Sequence, residues 1–309
     1  FGRSGGGYVT PTGTRGTGWR TYLVALTLGL AVVIIYGSLF EGIRYPYSSD
    51  SAAYIEQARN LNSGTGMYST PHGYSTETDS KPLGLFPPGY PLVIALVSRL
   101  GFAEERVAPW LNRLAAALMP AAIVFGFAAR IGATRILAAG VLVILSPGVL
   151  TFQYMALADA ISLLLAVLSI GFLVRAPRSG KALLASGALA GLGYCFRNAG
   201  LALLLAAPAA LMASSLLRLG PARGNLNSAL IWASGAAIFV APLVGYNVFI
   251  FGAAQPYDMP PSTVGLLTNA GMFLAAQVAD ILGFRLLGQL SVRDSEISVL
   301  PSIGVLGLV

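Results

Sequence analysis

Charged side chains are scarce in this sequence. Of 309 residues, 19 are Lys or Arg and 12 are Asp or Glu, so that 10% are charged and 55% are hydrophobic. This is too little charge to cover a water-soluble globule of this size, and the mean hydropathy of +0.72 agrees. The sequence therefore indicates an integral membrane protein. In a membrane protein the positions of the basic residues indicate which loops are cytoplasmic, so their excess does not point to a nucleic-acid partner, and none is expected.

Cysteine and histidine are almost missing. Cys195 is the single cysteine, which excludes a disulfide framework and a cysteine metal site within this sequence. Its position in an apolar run is typical of a small packing residue. His72 is the single histidine, so a zinc site made of several imidazoles is also excluded here.

Several apolar runs are long enough to cross a membrane. Tyr22 to Phe40 is uncharged and has about the length needed to cross ~30 Å of hydrocarbon. Further spans are predicted at 109–128, 136–153, 157–174, 182–196, 199–217 and 229–251. The expected fold is an all-α polytopic membrane protein, with a transmembrane domain over 21–309 and a large first outer loop at 41–108.

The basic residues predict how these spans are oriented. Residues 1–20 contain three arginines and no acid, and are expected to form a flexible basic cytoplasmic tail. The joints between spans carry Arg130 and Arg135, then Arg175, Arg178 and Lys181, then Arg218 and Arg223, again without acids. The positive-inside rule makes this side cytoplasmic. The loop 41–108, the joints 153–157 and 197–198 and a further loop at about 252–296 then share the opposite face.

Two stretches allow more than one topology. Arg197-Asn198 interrupts a run that could form one long helix, but two crossings with a tight outward turn avoid burying Arg197 in lipid. Residues 266–284 can cross or lie on the outer surface, and an amphipathic surface helix is favoured, with a new span near Ile297. The chain begins with Phe1 rather than Met and stops within an apolar run, so we expect a fragment with a truncated C-terminus.

The stretch 50–91 is the one long polar segment between apolar runs. A helix is predicted after Asp50 or Ser51, with one of these two residues as its N-cap, and Gly64 and Gly66 end it. A second short helix is predicted after Pro88. Two interfacial helices joined by a polar segment would form a platform on the outer membrane surface.

Two carboxylates of this face are candidate catalytic groups. Asp50 suits a helix cap and also suits a base that takes a proton from an acceptor hydroxyl, and the two roles can coexist. Asp159 is the only acid between Glu105 and Asp258 and lies at the outer end of a span. An ionisable group in that position is a functional candidate, although a plain interfacial helix end is the alternative.

Cations and further polar residues complete the candidate site. Arg197 is the only basic residue at an outward joint between spans, where it can pair with Asp159, bind a phosphate or simply lie at the interface. Within the loop, Lys81 is a second candidate for phosphate. Glu77, Asp79 and His72 are candidates for a divalent metal or the acceptor, or are plain loop surface.

The order of these elements resembles the GT-C superfamily of polyprenyl-phosphate-sugar-dependent glycosyltransferases. The similarity is to dolichyl-phosphate-mannose-protein-mannosyltransferase-like and aminoarabinose-transferase-like members. The resembling parts are Asp50 with Tyr54, Ala58 and Leu61, then Gly64, the Phe86-Pro-Pro-Gly-Tyr-Pro-Leu segment, Ala158-Asp159-Ala160, the Gly191 to Arg197 run and Tyr246-Asn247.

This resemblance implies an inverting transfer of a hexosyl or pentosyl group from a polyprenyl phosphate to a lipid, glycan or protein acceptor. The setting it implies is the periplasmic or extracellular face of a bacterial plasma membrane. Asp50 matches the catalytic acid of the family's first loop, and Asp159 the acid of its second outer loop. Arg197 matches an Arg after a Gly-rich span. Glu77 or Asp79 with Lys81-Pro82 matches an acidic-Lys-Pro element that contacts metal or donor phosphate.

The resemblance does not decide whether the protein uses a metal ion, and it leaves alternatives to an enzyme. Asp50 is followed by Ser51 rather than by a second acid, so a paired-acid metal motif is missing, and no cofactor is assigned beyond a possible role for Mg, Mn, Ca or Zn. The alternative to an enzyme is a transporter or flippase for a lipid-linked or anionic substrate. A non-catalytic subunit of a polysaccharide assembly machine is a third hypothesis.

Overall fold

A computed structural model describes most of the membrane region of the protein. The residues described are 18–39, 49–69, 81–82, 86–146, 149–150, 153, 155–175, 179–216 and 222–254. Their helices are α1 Trp19–Leu39, α2 Ser49–Asn62, α3 Gly89–Ser98, α4 Glu104–Ile131, α5 Ala133–Ile144, α6 Asp159–Arg175, α7 Gly180–Phe196, α8 Leu201–Leu216 and α9 Ala222–Phe251. A short antiparallel pair, β1 Tyr68–Ser69 and β2 Lys81–Pro82, joins two parts of the outer loop.

The predicted all-α membrane fold is confirmed. A helix occurs at each predicted span up to residue 251, and α1, α4 and α9 contain stretches long and apolar enough to cross a membrane. Two boundaries were wrong. Helix α4 begins at Glu104, because the two acids of its first turn favour a helix N-terminus. Helix α5 ends at Ile144, since Pro147 lacks a backbone N–H and follows shortly after.

Helix α2 also begins earlier than predicted. It starts at Ser49, so Asp50 lies in its first turn and is not the N-cap. A carboxylate in the first turn still interacts favourably with the helix dipole. The predicted end is confirmed, because α2 stops at Asn62 and is followed by Gly64 and Gly66 in the left-handed region at φ values of 81° and 91°.

Arg130 and Arg175, which belong to two of the predicted basic joints, lie at one end of the bundle. The Arg130 guanidinium donates to the Val174 carbonyl at 2.8 Å. Arg175 lies 4.8 Å from the centre of the Phe125 ring and donates to the Tyr22 hydroxyl at 3.3 Å. The start of α1 and the ends of α4 and α6 therefore lie together, and Asp159 lies at the other end of α6.

Helices α7 and α9 approach each other backbone to backbone. A Cβ atom on Gly187 would lie 1.9 Å from the Trp232 carbonyl oxygen, and one on Gly191 would lie 2.4 Å from that of Ala236. The Trp232 indole N–H donates to the Ser186 hydroxyl at 2.9 Å across the same contact. Small residues that permit close approach and polar bonds between helices are typical of membrane packing.

The interruption predicted at Arg197 is confirmed. Helix α7 ends at Phe196, Arg197 is extended at φ −153°, and a 3₁₀ turn over Asn198–Gly200 leads into α8. A Cβ atom on Gly200 would lie 2.7 Å from the Tyr194 backbone. The chain thus folds tightly back on itself, and Arg197 stays at the end of the bundle.

The α7–α9 contact predicts that Gly187→Ala destabilises the protein. The added methyl group forces the two backbones apart, and such overpacking costs about 1–3 kcal/mol. We expect a lower unfolding temperature in detergent, measured by intrinsic fluorescence. Gly245→Ala is the matched control, because a Cβ atom there meets nothing within 4 Å and Ala favours helix over Gly. Equal unfolding temperatures for the two variants would contradict this packing.

Candidate active site

Asp159 and Arg197 form an ion pair between the ends of two helices. Asp159 is the first residue of α6, and Arg197 follows the last residue of α7. The Arg197 Nη1 group donates to Asp159 Oδ2. The Asp159 side chain is 14% exposed and that of Arg197 is 42% exposed, so the carboxylate is the inner partner. A guanidinium has five N–H donors, and the contact of Arg197 with Asp159 uses its Nη1 group.

Asp50 lies close to the same pair. Its carboxylate is near enough to Asp159 for the two groups to interact electrostatically. The start of α2 and the start of α6 therefore lie at the same end of the described helices. Asp50 of α2 thus lies on the same side as the pair formed by Asp159 of α6 and Arg197, which follows α7.

An aromatic cluster holds α2 and α3 against the end of α7. The Tyr54 ring lies 4.9 Å from Phe86 and 5.1 Å from Tyr90, and Tyr90 lies 6.4 Å from Phe196. The Tyr90 hydroxyl donates to the Ala108 carbonyl at 2.9 Å, and burial raises the pKa of this phenol well above its usual value. Since Tyr54 lies one turn after Asp50, the cluster fixes the helix that carries this acid.

Gly89 allows α3 to dock directly beside the Arg197 turn. A Cβ atom on Gly89 would lie 2.5 Å from the Cys195 carbonyl oxygen, so any larger residue would push α3 away. The glycine belongs to the Phe86-Pro-Pro-Gly-Tyr-Pro-Leu segment that the sequence analysis singled out. Its role in the described structure is close packing beside the ion pair.

An apolar groove of about 660 Å³ opens next to Phe196. Its walls include Met67, Val93 of α3, Leu192 and Phe196 of α7, and Phe239 and Leu243 of α9. Cys195 also lines it, so the cysteine predicted to be a packing residue borders a cavity. Because Phe196 precedes Arg197 in the chain, the groove and the charged cluster are neighbours.

The remaining predicted residues are only partly located. The backbone of Lys81 lies in β2, opposite Ser69 of β1. The predictions for His72, Glu77 and Asp79 fall outside the described residues. Within the described ranges, no group of three His, Cys, Asp or Glu side chains is arranged to hold a metal ion.

Two polar residues near the site were missed by the sequence analysis. Asn112 is completely buried in α4 and donates to the Met155 and Leu157 carbonyls at 2.7 Å each. Arg113 follows it, with its guanidinium carbon 5.2 Å from the centre of the Trp110 ring. Both lie within the predicted span 109–128, and a strongly polar residue inside a span is the signal that could have identified them.

The sequence matches a known protein family. The sequence model described as dolichyl-phosphate-mannose-protein mannosyltransferase matches residues 86–246, which is just over half of the chain. This range contains Asp159, Arg197 and α3, whereas Asp50 and Lys81 precede it. A search of curated proteins found no match.

Proposed function

Because the chain belongs to the dolichyl-phosphate-mannose-protein mannosyltransferase family, we propose that Asp50, Asp159 and Arg197 form the site at which it transfers a sugar. The family indicates a membrane glycosyltransferase with a polyprenyl-phosphate sugar donor. The observation that carries the proposal is the ion pair between Asp159 and Arg197, with Asp50 beside it and the apolar groove next to it.

Arg197 is the proposed contact for the donor phosphate. A guanidinium binds phosphate oxygens through paired N–H donors, and its charge stabilises the negative charge that develops on the leaving phosphate. Asp159 accepts from one Arg197 nitrogen, which orients the guanidinium plane. The 42% exposure of the Arg197 side chain leaves room for a phosphate.

Asp50 is the proposed general base. Asp50 lies in the first turn of α2 and interacts electrostatically with Asp159, and a carboxylate in this position can take the proton of an acceptor hydroxyl. In a single displacement the acceptor oxygen bonds to the anomeric carbon while the bond from that carbon to the phosphate oxygen breaks. The acceptor proton passes to Asp50, polyprenyl phosphate leaves, and the anomeric configuration inverts.

The apolar groove is the proposed position of the first isoprene units of the donor. A lipid phosphate needs a charged contact for its head and an apolar surface for its tail. Phe196 lines the groove and Arg197 follows it directly, so head and tail would be bound by adjacent residues. The acceptor would then approach from the aqueous side, near Asp50.

Sugar transfer is proposed to occur at the end of the bundle opposite the basic joints. Arg130 and Arg175 mark the other end of the bundle, and basic joints favour the cytoplasmic side. Transfer would therefore occur at the outer face, which is the periplasmic side in a bacterial plasma membrane. In the outer loop Lys81 remains a proposed second phosphate contact. If the site holds a divalent cation, Glu77, Asp79 and His72 are the candidate oxygen and imidazole ligands from this loop.

Sugar transfer by point variants tests the proposed base. We expect Asp50→Asn to lower kcat by about 100-fold or more, because the amide cannot accept the acceptor proton. The measurement is transfer of a radiolabelled hexosyl or pentosyl group from its polyprenyl phosphate by detergent-solubilised protein. The anomeric configuration of the product is determined in the same assay.

Glu56→Gln is the matched control for this test. Glu56 also lies on α2, six residues after Asp50 and so about 120° away around the helix, and its replacement by Gln likewise turns a carboxylate into an amide. We expect it to keep wild-type kcat. Full activity of Asp50→Asn, or a product with retained configuration, would overturn the assignment of Asp50 as the base of an inverting transfer.

A second prediction concerns the groove. Val93→Trp should fill part of it and raise the KM for a long-chain donor roughly tenfold, about the effect of two buried methylene groups. A donor with only one or two isoprene units should be affected much less. Steady-state kinetics with donors of increasing chain length measure this difference.

Leu96→Trp is the control for the groove variant. Leu96 lies on the same helix α3, but it is 65% exposed and does not line the groove. We expect unchanged dependence on chain length for this variant. If both tryptophans shift the KM equally, or if neither does, the donor chain does not occupy this groove.

A further inference from the structure

Asn112 is a fully buried carboxamide inside a membrane-spanning helix. It is 0% exposed, and an amide within a bilayer span needs internal hydrogen-bond partners. Its oxygen, Oδ1, has no partner among the residues that the structure describes. A buried acceptor without a hydrogen-bond partner lowers the stability of the fold. Stabilising the fold is therefore not a sufficient reason for an asparagine at this position.

The Asn112 nitrogen bridges the Met155 and Leu157 carbonyls of the segment before α6. Nδ2 lies 2.7 Å from the Met155 oxygen and 2.7 Å from the Leu157 oxygen. The residues on either side of Leu157, Ala156 and Ala158, are 3% and 0% exposed. A primary amide has two N–H donors on one nitrogen, so it can satisfy both carbonyls, whereas a hydroxyl can satisfy only one.

This bridge ends two residues before Asp159. The Ala158 carbonyl accepts from the Ser162 N–H at 3.0 Å and so begins α6. The backbone of residues 155–157 is therefore tied to α4, and the next residues start the helix whose first side chain is Asp159. The position of the Asp159 carboxylate depends on where α4 holds this segment.

Tyr90 of α3 is fully buried and contacts α4 close to Asn112. Its hydroxyl donates to the Ala108 carbonyl, one turn before Asn112 on α4. The phenol also interacts with the Asn112 side chain and, electrostatically, with Asp159. Helices α3 and α4 and the segment before α6 thus meet around Asn112.

We propose that Asn112 is a positioning residue: it holds the Met155 and Leu157 carbonyls, fixes Asp159, and through Asp159 aims the Arg197 guanidinium at the donor phosphate. This inference rests on the proposed function of the ion pair. A solely structural role would predict a loss of stability without a specific loss of turnover. A positioning role requires that the effect on turnover passes through Arg197.

A double-mutant cycle separates these roles. Asn112→Leu removes both donors at similar volume, and we expect kcat to fall at least tenfold in the folded, detergent-purified full chain. Arg197→Lys keeps the positive charge but loses the planar fork. In the Arg197→Lys background, Asn112→Leu should lower kcat by less than threefold, because the geometry that Asn112 maintains is already lost.

Asn112→Ser is the second variant, for use if Asn112→Leu does not fold. Its hydroxyl can satisfy one of the two carbonyls, so kcat should lie between those of the wild type and Asn112→Leu. If only the serine variant is available, the cycle is run with it. An effect of the same size in the wild-type and Arg197→Lys backgrounds would overturn the positioning role.

Ser169→Ala is the matched control. Ser169 is buried on α6, the helix that carries Asp159, and donates to the Ser186 carbonyl at 2.8 Å. It lies about 15 Å along the helix from Asp159. We expect lower stability with kcat within twofold of the wild type. A normal kcat for folded Asn112→Leu, together with lost activity in Arg197→Gln, would refute the Asn112 role while leaving the proposed function intact.

Discussion

The ion pair between Asp159 and Arg197 is the interaction on which the proposed site depends. Each charge alone at the end of a membrane helix would be unfavourable unless it faced water or a partner. Paired, the two groups tie the start of α6 to the end of α7. The inner carboxylate orients the outer guanidinium, and this arrangement gives the site a cation with a fixed direction. Asp50 and the apolar groove acquire their proposed roles from their closeness to this pair.

Close backbone packing keeps the pair and its neighbours in place. Gly187 and Gly191 let α9 lie directly on α7, and Gly89 lets α3 dock at the Arg197 turn. Each of these contacts has room for a hydrogen atom but not for a methyl group. The apolar groove is the space between α3, α7 and α9 that this packing leaves open. Glycines in the membrane region therefore determine both the position of Arg197 and the shape of the surface beside it.

Much of this arrangement was predictable from sequence, because it depends on local composition. Apolar runs, the break at Arg197 and the basic joints predicted the helices, the turn and the common end of Arg130 and Arg175. The Asp50 cap and the end of α5 were wrong, since helix boundaries depend on a few residues whose preferences compete. The role of Asn112 and the groove depend on contacts between distant segments. No spacing in the sequence encodes those contacts.

The central claim is that Arg197 binds the lipid phosphate and that Asp50 acts on the acceptor. Equilibrium binding of polyprenyl phosphate, the released product, tests it without the complication of turnover. The account predicts that Arg197→Gln raises the Kd at least about tenfold, the scale of one charge-assisted contact. It also predicts that Asp50→Asn leaves the Kd nearly unchanged. Wild-type affinity in Arg197→Gln would contradict the account.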